Sequence, residues 1–263
     1  GCLPVGTVLT IAAAGSEMSD SSVITNDMTW QKRGLSSDYS RCRFAVLNPE
    51  LTYTLPPYQT ACGCVDILMH TMERYFTTDK NTGLTDEISE ALMRTVLHNA
   101  KIVIDQPYDY TARAEIMWAG SLAHNGLTGC GRTGDWASHQ LEHELSGMFD
   151  VAHGAGLAAI WSSWARYVYQ ADAERFARFA VQVMGISEQS QTREELALEG
   201  ISAMERFYHQ IGMPVSVSEL GILLTEEQCR QLAYHCSFEG TRSIGGFRTL
   251  NQSDMEQIYK SAR

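Results

Sequence analysis

The chain has 263 residues, 44% of them hydrophobic and 19% charged, which is the make-up of a globular protein with a sizeable core. Its formal net charge of −11 argues against a nucleic-acid-binding surface. No run of about 18 apolar residues predicts a membrane span, and the opening GCLPVGTVLTIAAAGSE lacks the basic region of a signal peptide.

Residues 5–13, VGTVLTIAA, read as a buried strand, rich in β-branched residues near its start. It runs into the small-residue turn Ala14-Gly15-Ser16-Glu17, where a ligand can approach backbone N–H groups. Ser22–Asn26 and Cys42–Leu47 are predicted as two further strands, the latter stopped by Asn48-Pro49. After Leu55-Pro56-Pro57 the pattern becomes helical. Helices are expected over 58–76, 85–105, 109–127, 136–147, 152–170, 171–184, 193–211, 225–238 and 254–262. Glycine-rich loops are expected at 129–134, which lacks the P-loop lysine pattern, and at 239–250. The seven cysteines are odd in number and scattered. They suggest buried thiols in a reducing cytoplasm.

The chemistry-bearing residues concentrate in two of the helices. Asp66 and His70 are four apart in VDILMHTMERY, and His139 and His143 are four apart in WASHQLEHELSGMFDVAHG, which also carries His153. Residues four apart share a helix face. One carboxylate and two or three imidazoles from two helices make a first shell for a divalent metal, and so few oxygens favour Zn²⁺ or Fe²⁺ over Mg²⁺ or Ca²⁺. Spacing alone leaves open which of the histidines ligate. It equally leaves open whether the ion would polarise an alcohol or carbonyl oxygen or activate a water. HExxH is absent, because Gly147 stands where its second histidine would be, and so is GxSxG. His98, His124, His209 and His235 are read as structural or solvent-facing. Trp118, Trp136 and Phe149 are candidates to line an apolar pocket.

These segments resemble the iron-containing (group III) alcohol dehydrogenases, in the branch of NADPH-dependent butanol dehydrogenases and aldehyde reductases. The resemblance runs from VLTIAAAGSEMSDSSVITN through RFAVLNPELTYTLPP and both histidine segments to IYKSAR, nearly the whole chain. It implies a mainly α fold: a helical-bundle metal-binding domain of the dehydroquinate synthase-like type, residues 53–263, preceded at 1–52 by residual strands of an α/β nucleotide-binding domain. It also implies Asp66, His70, His139 and His153 as metal ligands, and His143 as a catalytic, non-ligating group beside nicotinamide and substrate. Thr10, Gly15, Ser16, Ser19, Lys32 and Leu51 fall on dinucleotide-lining positions.

The implied activity is hydride transfer between NADP, or NAD, and a primary alcohol or aldehyde, with Fe²⁺ or Zn²⁺, in a cytoplasmic enzyme that is a homodimer when complete. Two departures stand out. Ala14 replaces the usual threonine, and the long Rossmann-like region that opens the family is missing. The chain is therefore expected to be a fragment or truncated gene product, weakly active or inactive alone, with strand edges that another chain would cover. Alternatives are a non-catalytic, metal-stabilised helical unit that binds a partner chain, or a related metal-dependent enzyme without redox chemistry.

Overall fold

A computed structural model describes residues 2–188 and 190–263; Gly1, in the expected strand region, and Gln189, in the helical region, lie outside the described residues. Four short strands come first: β1 (Gly6–Val8), β2 (Ser21–Asn26), β3 (Gln31–Ser36) and β4 (Phe44–Val46). β1 pairs in parallel with β4, and β2 and β3 form an antiparallel hairpin in which Ser21 faces Ser36 and Asn26 faces Gln31. Nine helices follow among the described residues. They are α1 (Pro57–Tyr75), α2 (Gly83–Asp105), α3 (Tyr110–His124), α4 (Ala137–Phe149), α5 (His153–Val168), α6 (Ala173–Gln182), α7 (Arg193–Gln210), α8 (Glu226–Cys236) and α9 (Gln252–Ser261). The chain is thus mainly helical, as expected. None of these helices is long and apolar enough to cross a membrane.

α1 is the axis of the bundle. From Thr60 to Glu73 every residue is buried, because α2, α3 and α5 pack around it. Pro57 opens it, where a missing N–H costs nothing. Side-chain caps fix other starts: Asp109 accepts from the Ala112 N–H, and reciprocal Thr192–Glu195, Thr225–Gln228 and Asn251–Asp254 pairs close the first turns of α7, α8 and α9. An aromatic cluster fills the far end of the core. Phe76 stacks on Phe176 at 4.3 Å between ring centres and meets Trp161, Trp164, Phe179 and Phe247. α5 lies against the α1 backbone itself. A Cβ on Gly154 would come within 2.6 Å of the Cys62 Cα and carbonyl carbon, so only glycine admits this approach.

Several expectations need correction. The buried strand predicted over 5–13 shrinks to three largely exposed residues, because β1 has a hydrogen-bonded neighbour on one edge only. The strand over 42–47 likewise shortens to Phe44–Val46, all exposed. β3 was not predicted: QKRGLS has no alternation of apolar residues, and its pairing to β2 creates the strand. α4 runs two residues past Gly147 and stops at Asp150, which takes a left-handed conformation with φ 54°. α3 ends at His124 and α5 at Val168, earlier than the apolar pattern suggested. All seven cysteines are free, but only Cys62, Cys64, Cys229 and Cys236 are buried; Cys2 and Cys130 are exposed and Cys42 is half-buried.

Candidate metal centre and cleft

Asp66 and His70 sit one turn apart on α1, His139 and His143 one turn apart on α4, and His153 opens α5. Ligand atoms of Asp66, His139 and His153 all lie within 4.8 Å of one another. The Asp66 Oδ1 is 3.6 Å from the His153 Nε2 and 3.7 Å from the His139 Nε2. Both separations are too long for a hydrogen bond and leave room for an ion between the atoms. His70 stands beside this trio, with its Nδ1 3.5 Å from the same oxygen. Asp66 Oδ1, His70 Nδ1 and His139 Nε2 are sealed from solvent without a hydrogen-bond partner. Leaving three polar atoms unpaired in a core is costly. A divalent cation among Asp66, His139 and His153 would satisfy the Asp66 and His139 atoms, with His70 next to the same Asp66 oxygen, so the donor set fits a metal.

Buried carboxylates hold two of the imidazoles from behind. The Glu73 Oε1 accepts from both the backbone N–H and the Nδ1 of His139, each at 2.8 Å. The Glu142 Oε2 accepts from the Nδ1 of His153. An ionised carboxylate only accepts, so each Nδ1 carries a proton and each Nε2 is turned toward Asp66. Neither glutamate was picked out from the sequence. Glu73 lies seven residues, two turns, beyond Asp66 on α1, and Glu142 three beyond His139 on α4; that periodicity was the available signal.

Glu142, His143 and His153 form a second cluster of ligand-type atoms. Lys32 already neutralises it. Its Nζ lies 3.7 Å from Glu142, 3.5 Å from the His153 Nδ1 and 3.0 Å from the Ser146 Oγ. A second cation there would meet an ammonium and an occupied carboxylate.

The electrostatics follow from burial and these pairings. Burial pushes the Asp66 carboxyl up, but His70, His139 and His153 together hold it well below the carboxylate range. Glu142 is also held down, burial being outweighed by His153 and Lys32. Burial lowers His139, yet the nearby carboxylates Asp66 and Glu73 win and raise it to about 9. His70 falls well below its usual value through burial, against the pull of Asp66. His143 is pushed down to about 3, by burial first and then by His153, His139 and Lys32, despite Glu142.

A cleft of about 730 Å³ opens above the trio. Of the residues expected to contact a dinucleotide, Ser16, Ser19 and Lys32 line it, while Thr10, Gly15 and Leu51 are not among its lining residues. Gly15 instead shapes the turn. It is buried with φ +60°, and its carbonyl accepts from the N–H groups of Met18 and Ser19 at 2.9 Å. Glu17 ties that turn to α3 by accepting from the Ser121 Oγ at 2.5 Å. The β2–β3 hairpin supplies one whole wall, including Val23 and Leu35. Trp136 forms part of the wall opposite. It adopts a left-handed backbone at φ 62° just before α4, fixed by Asp135, which accepts from the N–H groups of Ala137 and Phe247 at 3.1 and 2.8 Å. Trp118 is half exposed and Phe149 packs on the core, both outside the cleft.

His98 and His209 are exposed and His235 half-buried, in keeping with a structural or solvent-facing reading. His124 differs. It is buried and lines the cleft, its ring centre 4.0 Å from that of His70. Burial and the neighbouring Arg74 lower it to about 4. No sequence pattern pointed to it, because the contact joins α3 to α1 across the fold.

Comparison with known proteins agrees with this architecture. Residues 60–263 match the family model described as "Fe-containing alcohol dehydrogenase family, C-terminal". Over 261 residues, 99% of this chain and 66% of the relative, it is 36% identical to NADH-dependent butanol dehydrogenase A of Clostridium acetobutylicum. It is 33% identical to the NADPH-dependent aldehyde reductase YqhD of Escherichia coli, with the same coverage. The crystal structure of NADH-dependent butanol dehydrogenase A from Thermotoga maritima superposes with a TM-score of 0.92 at 36% identity, covering 99% of this chain and 66% of that one. The chain thus spans just under two thirds of the length of these relatives. With this match over most of its length, the chain belongs to the Fe-containing alcohol dehydrogenase family, whose C-terminal region it contains.

Proposed function

We propose that this chain provides the metal- and substrate-holding part of an alcohol dehydrogenase that interconverts a primary alcohol and its aldehyde, with NADH or NADPH as hydride partner. The observation that carries this reading is the set of sealed, partnerless atoms on Asp66, His70 and His139 beside His153, at the floor of a cleft. Asp66, His70, His139 and His153 would hold the ion. Fe²⁺ or Zn²⁺ bound there would supply Lewis-acid stabilisation of charge on the alcohol or carbonyl oxygen.

The chain's own residues do the rest. Glu73 and Glu142 aim the two imidazoles and keep their protons on Nδ1. Trp136 and the β2–β3 hairpin line the cleft in which the substrate would sit. His143, kept neutral by burial, offers a hydrogen bond from the cleft wall without carrying charge. Ser16, Ser19 and Lys32 present two hydroxyls and an ammonium to a dinucleotide. Residues 1–52 would then serve the dinucleotide and residues 53–263 the ion and substrate.

The names of the relatives, butanol dehydrogenase and aldehyde reductase, support a short aliphatic aldehyde as substrate. The test is butanal-dependent oxidation of NADH and NADPH by the full-length enzyme, loaded in turn with Zn²⁺ and Fe²⁺. Turnover that requires the ion and disappears in Asp66→Ala is expected. Turnover that persists in Asp66→Ala, or its absence with either ion and either dinucleotide, would refute the proposal.

A further inference from the structure

The geometry points to His124 as a substrate-orienting hydrogen-bond donor, one that favours alcohols and aldehydes carrying a second oxygen near the reacting carbon. This rests on the activity proposed above.

The argument begins with Arg74. Its Nη1 donates to the backbone carbonyls of His70 at 2.7 Å and Ala123 at 3.2 Å. Its guanidinium also lies over the Trp136 ring, 4.6 Å from the ring centre. Two carbonyls and an aromatic face therefore fix the group. Its Nη2 is 3.2 Å from the Nδ1 of His124. A guanidinium has donors and no acceptor, so in this pair Nδ1 must accept. An imidazole that accepts at Nδ1 carries its proton on Nε2.

That Nε2–H has no partner among the described residues, and it is not one of the polar atoms sealed from solvent. The residue is 8% exposed and lines the cleft. The donor therefore faces the cleft, one imidazole away from His70 and beside Trp136. A largely dehydrated N–H left unpaired is unfavourable. A wholly aliphatic substrate leaves it so. A hydroxyl or carbonyl oxygen near the reacting carbon satisfies it.

Two measurements test this. The first is the ¹⁵N shifts of the His124 ring in the metal-free chain. A protonated Nε2 and a lone-pair Nδ1 are expected; a proton on Nδ1 overturns the assignment. The second compares selectivity in the enzyme, as the ratio of kcat/KM for 3-hydroxybutanal to that for butanal, in wild type, His124→Leu and His124→Gln. His124→Leu should lower the ratio about tenfold, and His124→Gln, which keeps an N–H, should restore part of it. An unchanged ratio overturns the proposal, as does an effect confined to the KM of the dinucleotide. If neither aldehyde turns over, the proposed activity itself fails. Binding of butane-1,3-diol against butan-1-ol, followed by tryptophan fluorescence, then decides: a diol preference lost in His124→Leu supports the donor, and no preference refutes it.

Discussion

Gly154→Ala tests how tightly the α1–α5 contact sets the site. The added Cβ would overlap the Cys62 carbonyl oxygen, its nearest neighbour, and stand 2.6 Å from the Cys62 Cα and carbonyl carbon, against an ordinary contact distance of 3.4 Å. The obstruction is backbone, so no rotamer change relieves it. The start of α5 must retreat from α1 by more than about 0.8 Å, because 3.4 minus 2.6 Å clears only the two carbons and the carbonyl oxygen lies nearer still. Overpacking of this kind costs about 1–3 kcal/mol, and the better helix propensity of alanine returns at most about 1 kcal/mol. A net loss of about 1–2 kcal/mol lowers Tm by roughly 2–8 °C in a chain of this size. The retreat also carries His153, the preceding residue, away from Asp66. Metal–ligand distances tolerate about 0.2 Å, so metal retention should fall more steeply than stability. Gly83→Ala is the control, because a Cβ there meets nothing within 4 Å. The assay is thermal unfolding together with metal content after dialysis. A Gly154→Ala protein with wild-type Tm and metal content would refute the reasoning.

Glu73→Gln and Glu142→Gln keep the shape behind His139 and His153 but remove the charge. Each should weaken metal binding about 10–100-fold in a chelator competition while the circular dichroism spectrum stays that of the wild type. Equal affinities would show that the carboxylates are bystanders. Asp135 gives a pH test. Burial, and then Glu73, push its carboxyl up to about 7, above the value near 3.9 of an unfolded aspartate. A raised folded value means that its stabilising contribution is fully present below about pH 4 and is lost as pH rises through about 7. Between pH 4 and 7 the wild type should therefore lose stability relative to Asp135→Asn, by on the order of 4 kcal/mol in urea unfolding, roughly three pKa units at about 1.36 kcal/mol each. Parallel stability curves would contradict this.

The helices were legible because their apolar periodicity is long and their caps are written locally, as in Thr192–Glu195 and Asn251–Asp254. The two pairs four apart could be read as metal-ligand candidates for the same reason: helix geometry alone puts each pair on one face. Spacing could not choose between His143 and His153. The choice depends on the turn at Asp150 that brings the start of α5 back against α1, a tertiary arrangement that gathers His153 with Asp66 and His139. The strands were harder to read. β3 exists through its partner, and β1 depends on neighbours that the apolar run cannot specify. His124 was out of reach because its significance comes from Arg74, 50 residues away. Glu73 and Glu142 show a middle case, with a visible periodicity but no local sign of which imidazole each supports.

The most direct measurement is metal content per chain, by mass spectrometry after exhaustive dialysis, for the wild type, Asp66→Ala and His139→Ala. About one divalent ion retained by the wild type and lost from both variants is the predicted result. A wild type that retains none, or variants that retain as much as the wild type, would contradict the assignment of the centre.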